Sequence, residues 1–398
     1  MELNDETLRF IHEHCKDDVR NLALQAPKYP GVDMPVALTQ IAGRQAAAEK
    51  IPSWHEEEGV LYPRHLSLEQ CSSEATARYK ASIIPESSSG TLTDLTGGFG
   101  IDCSFLATGF KSATYVERQE ELCEIAAHNF PILNLNHINV RNEDGVDYLN
   151  AMSPVDCIFL DPARRNEHGG KTVAISDCEP NVAELEGLLL SKANRIMIKL
   201  SPMLDLSLAL KELKQTQEVH ILSVNNECKE LLILLGQTSP AEISIHCVNL
   251  FTKGTQKEQH FVFTREQEQC SECTYTDSLE TYLYEPNASL LKAGAFRSIA
   301  AAYPVRKLHP NSHLYTSDTF IENFPGRIFR IVNQCSFNKK EVKENLADLK
   351  KANVTVRNFP ATVAELRKRI HLAEGGDTYL FASTLNNGQK VLIRCEKV

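Results

Sequence analysis

Thr91-Leu92-Thr93-Asp94-Leu95-Thr96-Gly97-Gly98-Phe99-Gly100 is the stretch that decides how this chain is read. An apolar, β-type run ends in an acidic residue and then in a turn with three glycines. The residues from Ile101 to Phe110 can start a helix. Glycine is needed where a chain turns sharply and lets a ligand approach the backbone closely. A glycine turn between strand and helix is a nucleotide-type site, weak as a signal by itself. Two later stretches sharpen it. Ala113-Thr114-Tyr115-Val116-Glu117 reads as the next strand and ends in an acid about twenty residues after the turn, where a ribose hydroxyl would be held. Asp156-Cys157-Ile158-Phe159-Leu160-Asp161-Pro162-Ala163-Arg164 reads as a buried strand that stops at Asp-Pro.

The glycine spacing argues against a dinucleotide site. The G-x-G-x-x-G fingerprint counted from Gly98 puts Cys103 where its third glycine belongs. The pattern present is D-x-x-x-G-x-G, Asp94 followed by Gly98 and Gly100. With Glu117 and Asp161-Pro162 at later strand ends, this set resembles the class I S-adenosylmethionine-dependent methyltransferases, especially those acting on RNA or DNA bases. The resemblance spans residues 70 to 265. It implies an α/β fold, a doubly wound Rossmann-like sheet, with S-adenosyl-L-methionine as cofactor.

In a parallel sheet a ligand sits beyond the carboxyl ends of the strands, where strand order switches. Asp94, Glu117 and Asp161 all stand at such ends, so they converge despite their separation in sequence. The resemblance implies that Asp94 meets the cofactor's ammonium. The backbone of Thr96, Gly97, Gly98 and Gly100 would pack against its methionine and ribose part, and Glu117 would accept from both ribose hydroxyls. In Glu143-Asp144-Gly145, Asp144 stands where the family places an acid against the adenine amine. Ser73 and Glu74 open a segment that can face the methionine end, or can simply cap a helix.

Asp161-Pro162-Ala163-Arg164 occupies the place of the Asp/Asn-Pro-Pro-aromatic motif of amino-group methyltransferases. There the acid and the first proline's carbonyl accept from the target amine, and the aromatic ring stacks on a flipped base. Ala163 and Arg164 depart from that pattern, although a guanidinium plane also stacks on bases. Asp161, Pro162 and Arg164 are the catalytic candidates. The same motif resembles that of RNA uracil-C5 methyltransferases, which need a cysteine nucleophile after the next strand. Lys199-Leu200-Ser201-Pro202 stands there instead. Cys228 is the nearest downstream cysteine, and it reads as opening a helix. Lys199 and Asp205 flank the same rim, as substrate contacts or as an ion pair. Arg165 and Lys171, in a loop with Gly169-Gly170, are candidate substrate contacts.

The chain has 398 residues and 42% apolar composition, enough for two to four domains with ordinary cores. No stretch approaches the roughly eighteen apolar residues of a membrane helix. The opening Met1-Glu2-Leu3-Asn4-Asp5-Glu6 lacks the basic and apolar regions of a signal peptide. The twelve cysteines are scattered rather than spaced as a framework, as in a reducing cytoplasm. Cys270-Ser271-Glu272-Cys273 has no second pair at zinc-ribbon spacing, and no metal site is expected. The net charge of −10 is unevenly spread: residues 327–398 carry +7 and the rest −17. That asymmetry suggests a basic binding module on an acidic body.

Residues 1–88 read as a helical region. Leu8, Ile11, Cys15, Val19 and Leu22 fall on one helical face. A second helix spans Val36 to Lys50, and a third begins at the serines after Cys71. Residues 89–268 form the methyltransferase domain, with strands at 91–96, 113–117, 137–141, 155–160, 195–200 and 218–224. A hairpin from 243–250 and 260–264 closes its edge, and 265–280 is a polar linker. Residues 281–326 hold one alanine-rich helix, Ala288 to Tyr303, and short strands such as His313–Thr316. Residues 327–398 read as β-α-β-α-β-β, with Asn386-Asn387-Gly388 as a hairpin turn. In pattern and order these last two pieces resemble the ferredoxin-like and THUMP-like domains of certain bacterial class I methyltransferases. The expected function is S-adenosylmethionine-dependent methyl transfer to a base in RNA, in the cytoplasm, without membrane or obligate protein partner. A small-molecule methyltransferase of the same fold and an RNA-binding protein with an impaired core are the alternatives.

Overall fold

The computed structural model describes residues 4–84, 87–164, 174–238 and 240–398. Arg165, Lys171 and the Gly169-Gly170 loop lie outside them. The chain divides into two compact units, Met1–Gln217 with Leu231–Pro240, and Glu218–Glu230 with Ala241–Val398.

The first unit begins with helices α1 (Asp5–Glu13), α2 (Val19–Leu24), α3 (Met34–Lys50), α4 (Pro52–Glu56), α5 (His65–Gln70) and α6 (Glu74–Ile83). The expected continuous face from Leu8 to Leu22 is broken. Asn4 caps α1 and Asp18 caps α2, each accepting a backbone N–H three residues on, so the chain starts a new helix after His14. The new direction buries Phe10 and Leu22 against Met34, Ala37 and Ile41, and leaves Leu8 48% exposed.

The strands that follow are β1 (Ser87–Asp94), β2 (Phe110–Glu117), β3 (Ile138–Asn142), β4 (Val155–Leu160), β5 (Ala163–Arg164), β6 (Cys178–Glu179), β7 (Ala193–Leu200), β8 (Thr216–Val224) and β9 (Glu227–Gly236). Helices α7 (Ile101–Ala107), α8 (Glu120–Ile132), α9 (Gly145–Ala151), α10 (Val182–Lys192) and α11 (Leu206–Glu212) connect them. β5 and β6 form a separate two-residue ladder. The order is β9-β7-β4-β1-β2-β3, parallel throughout except that β9 runs antiparallel to β7. The chain moves outward from β1 through β2 to β3, then returns to place β4 on the other side of β1. That reversal opens a crevice at the carboxyl ends of β1 and β4.

β9 corrects the reading of Cys228 as a helix start. Leu231 to Leu235 are all buried, as a strand covered on both faces requires, and such a run carries no helical period. Each of these side chains contributes about 1.5–3 kcal/mol of burial. Cys228 lies in that strand, where burial pushes its thiol up to about 11, outweighing the nearby Lys292 charge.

In the second unit β8 pairs in parallel with β10 (Ser244–Leu250), which pairs antiparallel with β11 (Glu258–Thr264) as the expected hairpin. The polar stretch that follows is not a plain linker. It forms α12 (Arg265–Cys270), closed by a Thr264/Gln267 capping box. Its Glu268 carboxylate accepts the first N–H groups of a later helix, at Phe296, Arg297 and Ser298. β12 (Tyr282–Pro286) leads to α13 (Ala288–Ala293) and α14 (Phe296–Ala302). The single helix expected from Ala288 to Tyr303 is therefore two, because Gly294 at φ +78° ends the first in a left-handed cap.

β13 (Arg306–Lys307), β14 (Tyr315–Ser317), β15 (Gly326–Ser336), α15 (Lys339–Leu346), β16 (Asn353–Val356), α16 (Val363–Ile370), β17 (Thr378–Thr384) and β18 (Lys390–Lys397) complete the chain. Their sheet order is β13-β14-β12-β15-β18-β17-β16. Leu346 and Leu366 pack their helices against Leu380, Ala382 and Leu392 of this sheet, with Val342 and Leu349 beside them. Gly388, at φ +86°, turns β17 into β18. Among the described residues no helix is long and apolar enough to cross a membrane.

Candidate functional site

The glycine turn at the end of β1 is held from two sides. Phe99 is buried among Trp54, Tyr62, Ile101 and Ile125, with Trp54 edge-on to its ring at 5.0 Å, so the N-terminal helices clamp the turn. On the other side Tyr115 donates its hydroxyl hydrogen to the Gly98 carbonyl at 2.5 Å. A Cβ on Gly97 would stand 2.2 Å from the Tyr115 ring, so close packing forbids any side chain there. Gly98 differs: its nearest neighbour to a Cβ would be the Thr96 carbonyl at 3.8 Å. Its φ of +56° favours glycine, although a Cβ there would meet nothing closer than that carbonyl.

Two strand-end acids border this turn. Glu117 accepts the Gly98 N–H through Oε2 and the Gln119 N–H through Oε1, both at 2.9 Å. Each oxygen retains a lone pair. Asp94 is 1% exposed; its Oδ1 accepts the Thr96 N–H at 3.0 Å, while its Oδ2 is buried with no hydrogen-bond partner among the described residues. Burial pushes its carboxyl well above the ordinary range, and the Asp102 and Asp161 charges add to the shift against the Thr96 bond and Lys199. A buried carboxylate oxygen with an unused lone pair calls for a donor, best a cationic one.

Next to them lies a polar network that spans widely separated elements. Asp102, in the first turn of α7, accepts the Ser72 hydroxyl at 2.7 Å and pairs with Lys80 at 3.0 Å and Lys199 at 3.1 Å. Both ammonium groups also donate to Ser72 Oγ, at 3.1 Å from Lys80 and 3.0 Å from Lys199. Lys199, near the end of β7, reaches Asp161 Oδ2 at 2.6 Å. The Asp161 N–H donates to Thr96 Oγ1 at 2.6 Å, which ties the Asp-Pro corner to the glycine turn. Burial by itself would raise the Asp102 carboxyl; Lys199 and Lys80, with the Ser72 hydroxyl, overcome it and hold it far below the ordinary range.

The structure thus brings together Asp94, Thr96, Gly97, Gly98, Gly100, Glu117, Asp161, Pro162 and Lys199. Other candidates have partners of their own. Ser73 caps α6 by accepting the Thr76 N–H at 3.3 Å. Glu74 accepts the Ser53 N–H and the Arg78 guanidinium, both at 2.8 Å. Burial raises its carboxyl less than these bonds lower it. Asp144 caps α9 through Oδ1, and Asp205 caps α11. The main chain of Arg164 pairs with Cys178 in the β5–β6 ladder. Ser72, Lys80 and Asp102 were missed by sequence reading. Lys80 is a lysine on the buried face of an amphipathic helix, and Asp102 stands four residues past Gly98; those are the signals that could have found them.

Residues 282–325 match a ferredoxin-like domain family, and residues 326–397 match a THUMP domain-like family. Among curated proteins none matches. A solved structure described as a "putative methyltransferase from Porphyromonas gingivalis W83" is 35% identical, covers 100% of both chains and superposes with a TM-score of 0.86. An rRNA methylase from Streptococcus thermophilus is 14% identical over 40% of this chain and 93% of its own, at a TM-score of 0.29, too distant to carry an argument. At 35% identity over its full length, the chain belongs to the family of that Porphyromonas gingivalis protein, a class I methyltransferase fold followed by ferredoxin-like and THUMP-like domains.

Proposed function

We propose that this protein transfers a methyl group from S-adenosyl-L-methionine to a base in RNA, with the transfer taking place at the crevice beyond β1 and β4. The observation that carries the cofactor reading is the buried Oδ2 of Asp94, which has no hydrogen-bond partner among the described residues. Asp94 would hold the cofactor's ammonium, Gly97 to Gly100 its methionine and ribose part, and Glu117 its ribose hydroxyls. When bound, the cofactor supplies an electrophilic methyl group.

The chain's own residues orient the acceptor and receive its proton. Asp161 accepts a hydrogen bond from the target amine, and the Pro162 carbonyl accepts a second. Lys199 fixes the Asp161 carboxylate by its 2.6 Å contact, and the Asp102 carboxylate offsets the Lys199 charge. Transfer by direct displacement asks the protein mainly for alignment and for a late proton acceptor. The RNA reading is supported by the THUMP-like family match and by the +7 charge of residues 327–398.

Calorimetry of S-adenosylmethionine against NAD on the full-length chain tests the cofactor. NAD binding in its place would overturn the reading. Mass spectrometry of RNA nucleosides from a deletion strain tests the substrate, and Asp161→Ala should bind cofactor with near-normal affinity while losing turnover. Wild-type turnover in that variant would place the acceptor elsewhere.

A further inference from the structure

Three histidines meet on one face of the small β8-β10-β11 group, and sequence spacing gives no hint of it. His220 and His246 stand directly opposite each other in the parallel β8–β10 pair. Their rings stack at 4.3 Å with planes 17° apart. His260 lies diagonally across the β10–β11 pair, where its Nε2 is 3.1 Å from His246 Nδ1. Glu218, two residues before His220 and so on the same face of β8, brings Oε2 to 3.2 Å from His220 Nε2. The donor atoms of Glu218, His220 and His246 all lie within 4.8 Å of one another.

We infer that Glu218, His220 and His246 form a binding site for a divalent transition ion of the Zn2+ type, with His260 as the outer partner that orients His246. Two imidazole nitrogens and a carboxylate are the donor set that borderline ions prefer, while Ca2+ and Mg2+ prefer all-oxygen sites. Tetrahedral Zn2+ at about 2.0–2.1 Å from each ligand sets neighbouring donors about 3.4 Å apart. The widest pair must therefore close by up to about 1.4 Å, which rotation of the half-exposed Glu218 side chain and a tilt of the stacked rings supply.

If one His246 nitrogen takes the ion, the other keeps a hydrogen bond to His260 or to Ser244 Oγ at 3.2 Å. A ligating imidazole commonly has such an outer bond.

The experiment titrates chelator-treated full-length protein with Zn2+ alone at neutral pH, by calorimetry. One equivalent should bind. The double variant His220→Asn/His246→Asn should lose that site, and His260→Asn should weaken it about 10- to 100-fold. Cys270→Ser/Cys273→Ser should bind like the wild type. Should the double histidine variant fail to fold, Glu218→Gln tests the same ligand set at a half-exposed position, with tenfold or greater weakening expected. Co2+ gives a second readout: visible bands of a nitrogen and oxygen site without a thiolate charge-transfer band. No stoichiometric uptake, uptake that survives the histidine variants, or a thiolate band lost with Cys270 and Cys273 would overturn the assignment.

Discussion

Carboxylate–cation pairs appear in two settings in this chain, one inside the methyltransferase fold and one on the terminal sheet. In the first, Asp102 is enclosed by Lys80, Lys199 and Ser72, with Lys80 fully buried. In the second, Arg330 and Glu396 face each other across β15 and β18 at 2.8 Å, with side chains 60% and 55% exposed. The chemistry is the same and the solvent is not. Removing water strengthens each interior attraction and makes any missing partner costly. The interior group therefore fixes geometry, joining α6, α7 and β7 at one point beside the glycine turn. The exterior groups fix little, and their neighbours stay available to an anionic partner.

The largest test of that contrast is Asp102→Asn. It leaves two ammonium groups in a low-dielectric space facing a neutral amide, and breaking a buried pair this way destabilises by about 3–5 kcal/mol. Urea unfolding, with hydrogen exchange at α6 and α7, measures it. A loss below about 1 kcal/mol would erase the distinction between interior and surface pairs. The pH dependence follows from the sign of the shift. Asp102 is held below its ordinary value when folded, so its contribution is present above the unfolded pKa and lost as pH falls through the folded one. In Asp102→Asn that acid-limb loss should shrink.

Glu117→Ala comes next. Its carboxylate accepts from Gly98 and Gln119 and, in the proposed function, from the cofactor's ribose. Loss of a charge-assisted hydrogen bond is worth about 1.5–3 kcal/mol, so S-adenosylmethionine affinity should fall about tenfold or more. Calorimetry on a variant whose melting shows it folded decides this, and unchanged affinity rejects the placement.

Asp94→Asn sharpens the comparison because Asp94 is an interior acid whose Oδ2 has no hydrogen-bond partner among the described residues. Burial raises its carboxyl well above the ordinary carboxylate range in the folded chain. The folded state then holds its proton longer than the unfolded one, so stability falls as pH rises through that window. Asp94→Asn should remove this fall and stabilise the cofactor-free protein at neutral pH by on the order of 1 kcal/mol, while weakening cofactor binding. Thermal unfolding over a pH series checks it; a variant less stable than wild type at neutral pH contradicts it.

The sheet was legible because strand ends carry local marks. Asp94, Glu117 and Asp161-Pro162 announce themselves by following apolar runs. β9 was not legible, since the run Leu231 to Leu235 looks alike in a buried helix and a buried strand. The site network escaped for another reason. Lys80 and Asp102 belong to helices and Ser72 to the segment before one, and a buried lysine is read as an exposed one until its partner from a distant strand is known. Asp144, Glu74 and Ser73 show a related point: each makes local hydrogen bonds within or between helices, and sequence does not tell such a bond from a ligand contact. His220, His246 and His260 share a face only because β8, β10 and β11 are neighbours, which no spacing reveals.

The smallest expected effects lie on the terminal domain, and they test the exterior half of the contrast. Arg330→Ala should change stability by about 0–1 kcal/mol, because an exposed pair gains little over water and is screened by salt. Not all of the +7 charge is free to act: Arg327 and Arg357 both pair with Glu285, itself 1% exposed, and Arg394 pairs with Asp348. Among the cations that remain exposed are Lys339 and Lys340 at the start of α15 and Lys368 and Arg369 at the end of α16. Their helices pack on the sheet through Leu346 and Leu366, so substitution on the outer faces leaves the core intact. Replacing those four residues by Gln should leave melting unchanged and weaken RNA binding. It should also flatten the dependence of log affinity on log salt, by about 0.7 for each lost contact to a single strand. RNA affinity of wild type and variant across a salt series is the measurement. Equal affinities with equal slopes would leave these cations as solvated surface, and the small-molecule methyltransferase would become the better reading of the same crevice.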